Sequence, residues 1–323
     1  MGENENPKGA FKSLQFPVVF AAVFFGIGIW RWQATGKSFY LLNFGYIGLS
    51  IVLGIYLMTV LPKHKKAIGR RITQFLVGSY MLFFLGLISR ENMQLEGFFQ
   101  YLFIGVFAGA TLHYFVAKIF GPLVFGRGWC GYACWTAMLL DFLPYKKPIN
   151  PRIKGYGVIR YIHFLLSLIL SLIIWKYTEL KLYDNTKEEL YALIVGNLLY
   201  YIIGILLAMS LKDNRAFCKY ICPIPVLQKI TASFSLLKVR IHEEQCINCG
   251  VCEKNCPMDI RITEYMGYGS RVHSSECIAC ATCINTCPRG ALDFSFQWDP
   301  QVNEKLKYYN PNIKKKEKTS EFI

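Results

Sequence analysis

Apolar residues are unevenly distributed along the chain: residues 16–210 contain several long apolar runs, whereas residues 240–323 contain none. A helix needs about 20 mostly apolar residues to cross a bilayer. This criterion predicts about six membrane-spanning helices, at 15–32, 39–61, 72–89, 97–120, 158–176 and 191–211. The sequence therefore predicts an all-α polytopic membrane domain over residues 1–222, followed by a domain of another kind.

The composition agrees with a membrane protein. Apolar residues make up 53% of the chain, and the net charge is +15. The apolar fraction exceeds the roughly 45–50% of ordinary globular proteins, which excludes a disordered chain and a purely soluble one. The positive charge could attract nucleic acid, but the sequence indicates no folded basic groove or aromatic platform. We expect the lipid bilayer as a partner and no nucleic acid partner.

The distribution of lysine and arginine predicts the orientation in the membrane. With the N-terminus inside, the inside segments carry 16 of these residues and the outside loops carry six. An excess of basic residues is typical of cytoplasmic loops. With six spans, the C-terminal region is also cytoplasmic. We expect a multi-pass protein of the cell membrane with both termini and the C-terminal domain in the cytoplasm.

Eight of the 12 cysteines form two runs of identical spacing. Cys246 to Cys256 reads C-x2-C-x2-C-x3-C before a proline, and Cys277 to Cys287 repeats it. This is the bacterial two-cluster ferredoxin run, in which three cysteines bind one 4Fe-4S cluster and the fourth binds the other. The predicted ligands are Cys246, Cys249, Cys252 and Cys287 for one cluster, and Cys277, Cys280, Cys283 and Cys256 for the second. Two complete runs argue against zinc, and a cytoplasmic location argues against disulfides.

The cysteine runs and their flanks predict the layout after the membrane domain. Residues 240–298 are expected to form a small α+β two-cluster ferredoxin domain, with short flanking strands at 239–242 and 291–296. Segment 223–239 is apolar but too short to span, and is predicted to be an interfacial linker helix. Residues 299–323 are rich in lysine and are expected to form a basic flexible tail on anionic lipid.

The other four cysteines form two C-x3-C elements, Cys130 with Cys134 and Cys218 with Cys222. Each element follows a predicted span, and on a helix the i and i+4 thiols would share one face. If the two pairs meet, the four thiols could hold a third metal centre. Redox-active dithiols, capture of a soft ion such as Cu(I), and four buried structural cysteines are the alternatives.

The combination of hydrophobic spans, two C-x3-C elements and a C-terminal two-cluster ferredoxin domain resembles the NapH-type membrane ferredoxin proteins. The same core occurs in NosR-type and CcoG-type proteins, and the resemblance covers about 70–295. It implies the electron-transfer subunit of a quinol dehydrogenase-like complex, working between a membrane quinone pool or redox subunit and a soluble electron carrier. The family's elements read C-x3-C-P: Cys222 is followed by proline, but Cys134 is followed by Trp135. About six predicted spans also exceed the four of the nitrate-system proteins.

Further candidates and functions follow from the same sequence. His113 and His163 lie within predicted spans, where ionisable side chains are functional candidates, and either could contact a quinone. An interhelical hydrogen bond is the alternative for each. A copper-reducing assembly factor and a redox-sensing regulatory protein remain alternative functions. No phosphate loop, dinucleotide motif or Ser-His-Asp pattern indicates a catalytic site.

Overall fold

The computed structural model describes residues 7–300 and 302–309, except residues 108, 181 and 183–185. Helices account for most of these residues. In chain order the helices are α1 (Pro7–Thr35), α2 (Phe39–Val60), α3 (Lys66–Ile88), α4 (Leu95–Phe103), α5 (Ala110–Phe125), α6 (Gly128–Tyr132), α7 (Trp135–Leu140), α8 (Tyr156–Tyr177), α9 (Lys187–Leu211), α10 (Ala216–Tyr220), α11 (Ile224–Ala232), α12 (Val251–Lys254) and α13 (Thr282–Thr286). The strands are β1 (Arg152–Ile153), β2 (Leu237–Ile241), β3 (Leu292–Phe296) and β4 (Tyr308–Tyr309).

Four of the helices, α2, α3, α8 and α9, are long and apolar enough to cross a membrane. They coincide with four of the predicted spans. Large apolar side chains on α8 and α9 face outward, Leu166 and Leu206 among them, as expected for helices surrounded by lipid. Helix α1 covers the predicted span at 15–32 and packs against α2, but it is not one of these four. The chain is therefore a membrane protein, and the six predicted spans are not confirmed.

The predicted span at 97–120 is not a continuous helix. Helix α4 ends at Phe103, and α5 begins at Ala110 and is too short to span. Between the two helices, Gly105 and Gly109 have positive φ angles of 72° and 52°. Glycine adopts this conformation without steric cost, so the two glycines allow the chain to turn within an otherwise apolar run. Periodicity and apolar content alone did not reveal this break.

The small domain is built on a two-stranded antiparallel sheet. Strand β2 pairs with β3, with Val239 opposite Phe294. Because β2 begins at Leu237, the sheet starts inside the segment predicted as a linker over 223–239. The linker helix itself is α11, which buries Gln228 and exposes Ile230. This α+β domain packs its inner strand residues against the cysteine-bearing loops in a common core.

The first part of the predicted flexible tail is ordered. Strand β4 pairs in parallel with β1, which lies in the loop before α8. The hydroxyl of Tyr265 accepts a hydrogen bond from the backbone N–H of Lys305 at 2.8 Å. Residues 305–307 therefore lie against the ferredoxin domain and residues 308–309 against the membrane part, which corrects the prediction for this part of the tail. Residue 301 and residues 310–323 lie outside the described part of the chain.

One buried carboxylate joins the small domain to the membrane part. Glu276, directly before Cys277, forms ion pairs with four cations of the membrane part and its linker, namely Arg127 (2.7 Å), Arg152 (3.0 Å), Arg160 (2.9 Å) and Lys229 (3.0 Å). Burial by itself raises the pKa of the Glu276 carboxyl. The charges of Arg152, Arg127 and Arg160 outweigh this effect and hold its pKa well below its usual range. Glu276 is therefore ionised, and its carboxylate holds four separate segments of the membrane part and linker against the small domain.

We expect Glu276→Gln to destabilise the docked arrangement strongly, because it leaves buried cations without their counter-charge. Breaking a buried ion pair in this way typically costs about 3–5 kcal/mol. Glu264→Gln is the matched control, since it removes an exposed pair with Arg261 (2.6 Å) that contributes little. Denaturant unfolding of the purified protein measures both variants, and an equal loss in the two would contradict the role given to Glu276.

Candidate cysteine sites

Four cysteines drawn from both ferredoxin runs line one cavity that is open to solvent. They are Cys246, Cys249, Cys252 and Cys287, here called the outer group. Ile241 of β2 and Leu292 of β3 line the same cavity, so the sheet positions it. Cys249 is exposed, and the neighbouring Ile247 is 57% exposed. The four cysteines that the spacing assigns to one cluster thus lie together at the protein surface.

The second set, here called the inner group, is more deeply buried. It consists of Cys277, Cys280, Cys283 and Cys256, and the Cys283 thiol interacts electrostatically with the other three. Burial raises the pKa of the Cys256 thiol to about 12 and that of Cys277 to about 11. Such thiols are protonated at neutral pH, so binding of a metal would release protons.

The two ligand loops have the same unusual backbone conformation. Asn248 and Gly250 in the first loop have positive φ angles of 52° and 67°. Ala279 and Ala281 occupy the equivalent positions of the second loop, with φ angles of 52° and 59°. Alternation of left-handed residues with ordinary ones turns successive N–H groups toward one point, the anion-binding nest found at many iron–sulfur sites. The backbone therefore suits an anionic cluster in both loops.

Neither C-x3-C pair lies on a single helix. Cys130 is in α6, which ends at Tyr132, and Cys134 is the extended residue that precedes α7. In the same way Cys218 is in α10, and Cys222 follows the end of that helix. The prediction that one helical face carries both thiols is therefore wrong. A helix end separates the members of each pair and lets them point toward a common centre.

The structure nevertheless brings the four C-x3-C cysteines together, here called the membrane-side group. The thiol of Cys222 interacts electrostatically with Cys218, Cys134 and Cys130. Burial is the main reason that the pKa of Cys218 rises to about 11, and the thiols of Cys134 and Cys130 add to it. Two elements whose first cysteines are 88 residues apart thus form one buried thiol environment.

Lys118 is a buried cation beside the membrane-side group. Its side chain is 4% exposed, and its ammonium lies 4.6 Å from the centroid of the Trp129 ring. The ammonium interacts electrostatically with Cys130, Cys134 and Cys222. None of the described carboxylates forms an ion pair with it. A buried lysine of this kind favours negative charge on the thiols it faces.

Two buried donors beside the membrane-side group also lack a partner among the described residues, Trp129 Nε1 and Gln228 Nε2. The Cys130 thiol donates to Gln228 Oε1 at 3.0 Å, so the amide is directly next to a sulfur. Hydrogen bonds to sulfur are one of the ways in which proteins tune iron–sulfur centres. The donors, the lysine and the four thiols together fit an anionic sulfur-rich group.

Within the described part of the chain, no three His, Cys, Asp or Glu side chains are close enough to hold one metal ion together. A 4Fe-4S cluster takes one cysteine at each of its four irons, so its ligands are spread more widely than those of a single ion.

Two arginines hold the backbone of the first C-x3-C element. Arg70 donates to the carbonyl of Gly131 at 2.8 Å, and Arg215 donates to the carbonyl of Cys130 at 3.1 Å. Both also pair with Asp141, at 2.9 and 2.6 Å. Burial raises the pKa of Asp141, but the charges of Arg215 and Arg70 outweigh it, so the pKa is lowered. The C-x3-C spacing gave no sign of these partners.

The two candidate quinone contacts have different surroundings. His163 Nδ1 is 2.8 Å from the carbonyl of Ile221, and its Nε2 is 3.4 Å from the hydroxyl of Tyr200, so His163 joins three segments. His113 packs edge-on against Trp129, with ring centroids 5.0 Å apart, beside the membrane-side group. Its Nε2 has no partner among the described residues. Contact of either histidine with a quinone stays a prediction.

The shared loop conformation yields a test. We expect Gly250→Ala to retain the full iron content, because Ala281 already adopts this conformation and a Cβ at Gly250 meets open space. A left-handed alanine costs about 1–2 kcal/mol, so only stability should fall. Gly250→Val, with a branched Cβ that this conformation tolerates poorly, should lose iron. Iron and sulfide analysis measures both, and iron loss in the alanine variant would count against the equivalence of the loops.

Two family models match parts of the chain. The model of a 4Fe-4S dicluster domain matches residues 238–288, the range of the two ferredoxin runs. The model of a 4Fe-4S binding domain matches residues 107–150 and 198–242, and these two ranges contain the C-x3-C elements. The second match pairs the same two segments that the structure brings together.

Several proteins are similar to the chain in sequence. The uncharacterized protein MJ0749 of Methanocaldococcus jannaschii is 29% identical over 188 residues, 58% of this chain and 74% of that protein. The uncharacterized protein MJ0750 of the same organism is 26% identical over 219 residues, which are 62% of this chain and 86% of that protein. YccM of Escherichia coli, whose name provisionally assigns it to electron transport, is 40% identical over 60 residues, 19% of this chain and 17% of YccM. No solved structure matches. The chain is thus an iron–sulfur, ferredoxin-like membrane protein.

Proposed function

We propose that the protein is a membrane-anchored electron-transfer protein that passes electrons through two 4Fe-4S clusters. The outer group holds one cluster and the inner group holds the second. The clusters supply the redox chemistry, and the protein fixes their positions and tunes their potentials. Electrons move between a membrane quinone pool or membrane redox subunit and a soluble or partner-bound carrier.

The observation that carries this proposal is the arrangement of eight cysteines in two groups within the small domain. Each group takes three cysteines from one run and one from the other, the interleaving that places two clusters side by side. The open cavity of the outer group and the paired backbone nests support the same assignment. Short separation between two redox centres is the requirement for a relay.

Charge at the domain junction also supports the proposal. Glu276 faces four cations, and Asp141 faces two arginines, so cations outnumber the carboxylates at each of these buried sites. A cluster with four thiolates is anionic, and neighbouring positive charge stabilises its reduced form. The buried arginines therefore favour clusters that accept electrons readily, which suits a carrier.

We propose that the membrane-side group forms a third redox or metal centre. The support is the convergence of its four thiols, the buried ammonium of Lys118 and the match of both segments to the 4Fe-4S binding domain model. His113, which packs against Trp129 beside this group, is the better placed of the two histidines for a quinone. The narrower likeness to NapH-type proteins and the cytoplasmic placement of the ferredoxin domain are part of the same proposal.

Protein purified without oxygen should contain at least eight irons and eight labile sulfides, the content of two 4Fe-4S clusters. Electron paramagnetic resonance (EPR) of the reduced protein should show interacting clusters. Replacing Cys252 by alanine should remove one cluster's iron, because this residue is buried in the outer group.

Alanine at all four membrane-side cysteines serves as the matched variant. It should leave the eight irons of the ferredoxin domain in place and remove any iron above that number. A colourless protein that contains only zinc would contradict the proposed function as a whole.

A further inference from the structure

The two clusters of a ferredoxin domain are often treated as equivalent, but here their surroundings differ. Every residue that lines the cavity of the outer group lies between 241 and 292, within the small domain. The exposed Cys249 and Ile247 are on the rim of that cavity. Among the described residues, the cavity of the outer group is therefore lined by the small domain alone and opens to solvent.

The inner group borders the first C-x3-C element directly. A Cβ added to Gly131 would lie 2.3 Å from the backbone oxygen of Ile278, so the two backbones touch there. Ile278 follows the inner ligand Cys277. The hydroxyl of Tyr132 donates to the carbonyl of Ala279 in the same ligand loop, at 3.1 Å. A glycine is required at 131 because any side chain would separate the element from the loop.

A further interaction reinforces this junction. Arg215 interacts electrostatically with Cys218 and Cys134 of the membrane-side group and with Cys280 of the inner group. One buried cation thus stabilises negative charge on both groups.

We infer that the inner cluster is the junction of the relay, exchanging electrons with the membrane-side group, while the outer cluster exchanges electrons with a soluble one-electron carrier. This order rests on the proposed function. Each step moves one electron: the cluster that gives it is oxidised, the group that takes it is reduced, and no bond forms or breaks. The order holds for flow in either direction.

A neutral, water-soluble dysprosium chelate tests the order, because it speeds the electron-spin relaxation of clusters near the surface. Two variants of the full-length protein each keep one cluster. Cys280→Ala with Cys283→Ala leaves the outer cluster, and Cys246→Ala with Cys249→Ala leaves the inner one. We expect a severalfold larger relaxation enhancement for the outer cluster. Equal enhancement, or a larger one for the inner cluster, would overturn the inference.

A second measurement keeps all cluster ligands. Gly131→Ala should alter the EPR signal that the chelate affects weakly and leave the other signal unchanged. Gly128→Ala is the control, because its Cβ would make an ordinary 3.5 Å contact with Phe125. If Gly131→Ala does not fold, Tyr132→Phe removes only the hydroxyl that bonds to Ala279 and should act on the same signal. A change confined to the chelate-sensitive signal would overturn the order.

Iron analysis separates failure of this inference from failure of the proposed function. Single-cluster variants that keep at least the four irons of one ferredoxin cluster but show the wrong accessibility refute the order alone. Wild-type protein without iron–sulfur clusters refutes both.

Discussion

The buried ion cluster around Glu276 is the constraint on which the rest of the arrangement depends. Its carboxylate is in the small domain, and its four cationic partners come from separate segments of the membrane part and linker. Buried charges that lose their partners are costly, so docking in another orientation would leave Glu276 or its cations unpaired. The observed orientation fixes the loop from Cys277 to Cys283 against the first C-x3-C element. The same ions that hold the domains together therefore also set the distance between redox groups.

A relay needs centres that are close together yet shielded from water, and the outer group differs from the other two in this respect. Cys249 of the outer group is exposed, whereas the inner group and the membrane-side group each have two buried and two half-buried cysteines. The backbones that carry these two groups touch at Gly131. The positive residues at these contacts are arginine in most cases, whose charge does not titrate in the physiological range.

Sequence reasoning succeeded where the information is local. The spacing of the ferredoxin cysteines was enough to propose their grouping, and four apolar runs were enough to find four long helices. It failed where a few residues override a pattern, as Gly105 and Gly109 do within an apolar run. It also missed Glu276, because its arginine partners are up to 149 positions away in the chain. A lone acidic residue before a cysteine carries no local sign of such partners.

The pairing of β4 with β1 has a consequence for biosynthesis. Strand β1 leaves the ribosome more than 150 residues before β4 does. The docked arrangement therefore cannot be completed until residue 309 has been synthesised, whereas both cysteine runs emerge earlier. Pairing of the last strand with β1 is therefore the final step in assembling the docked arrangement.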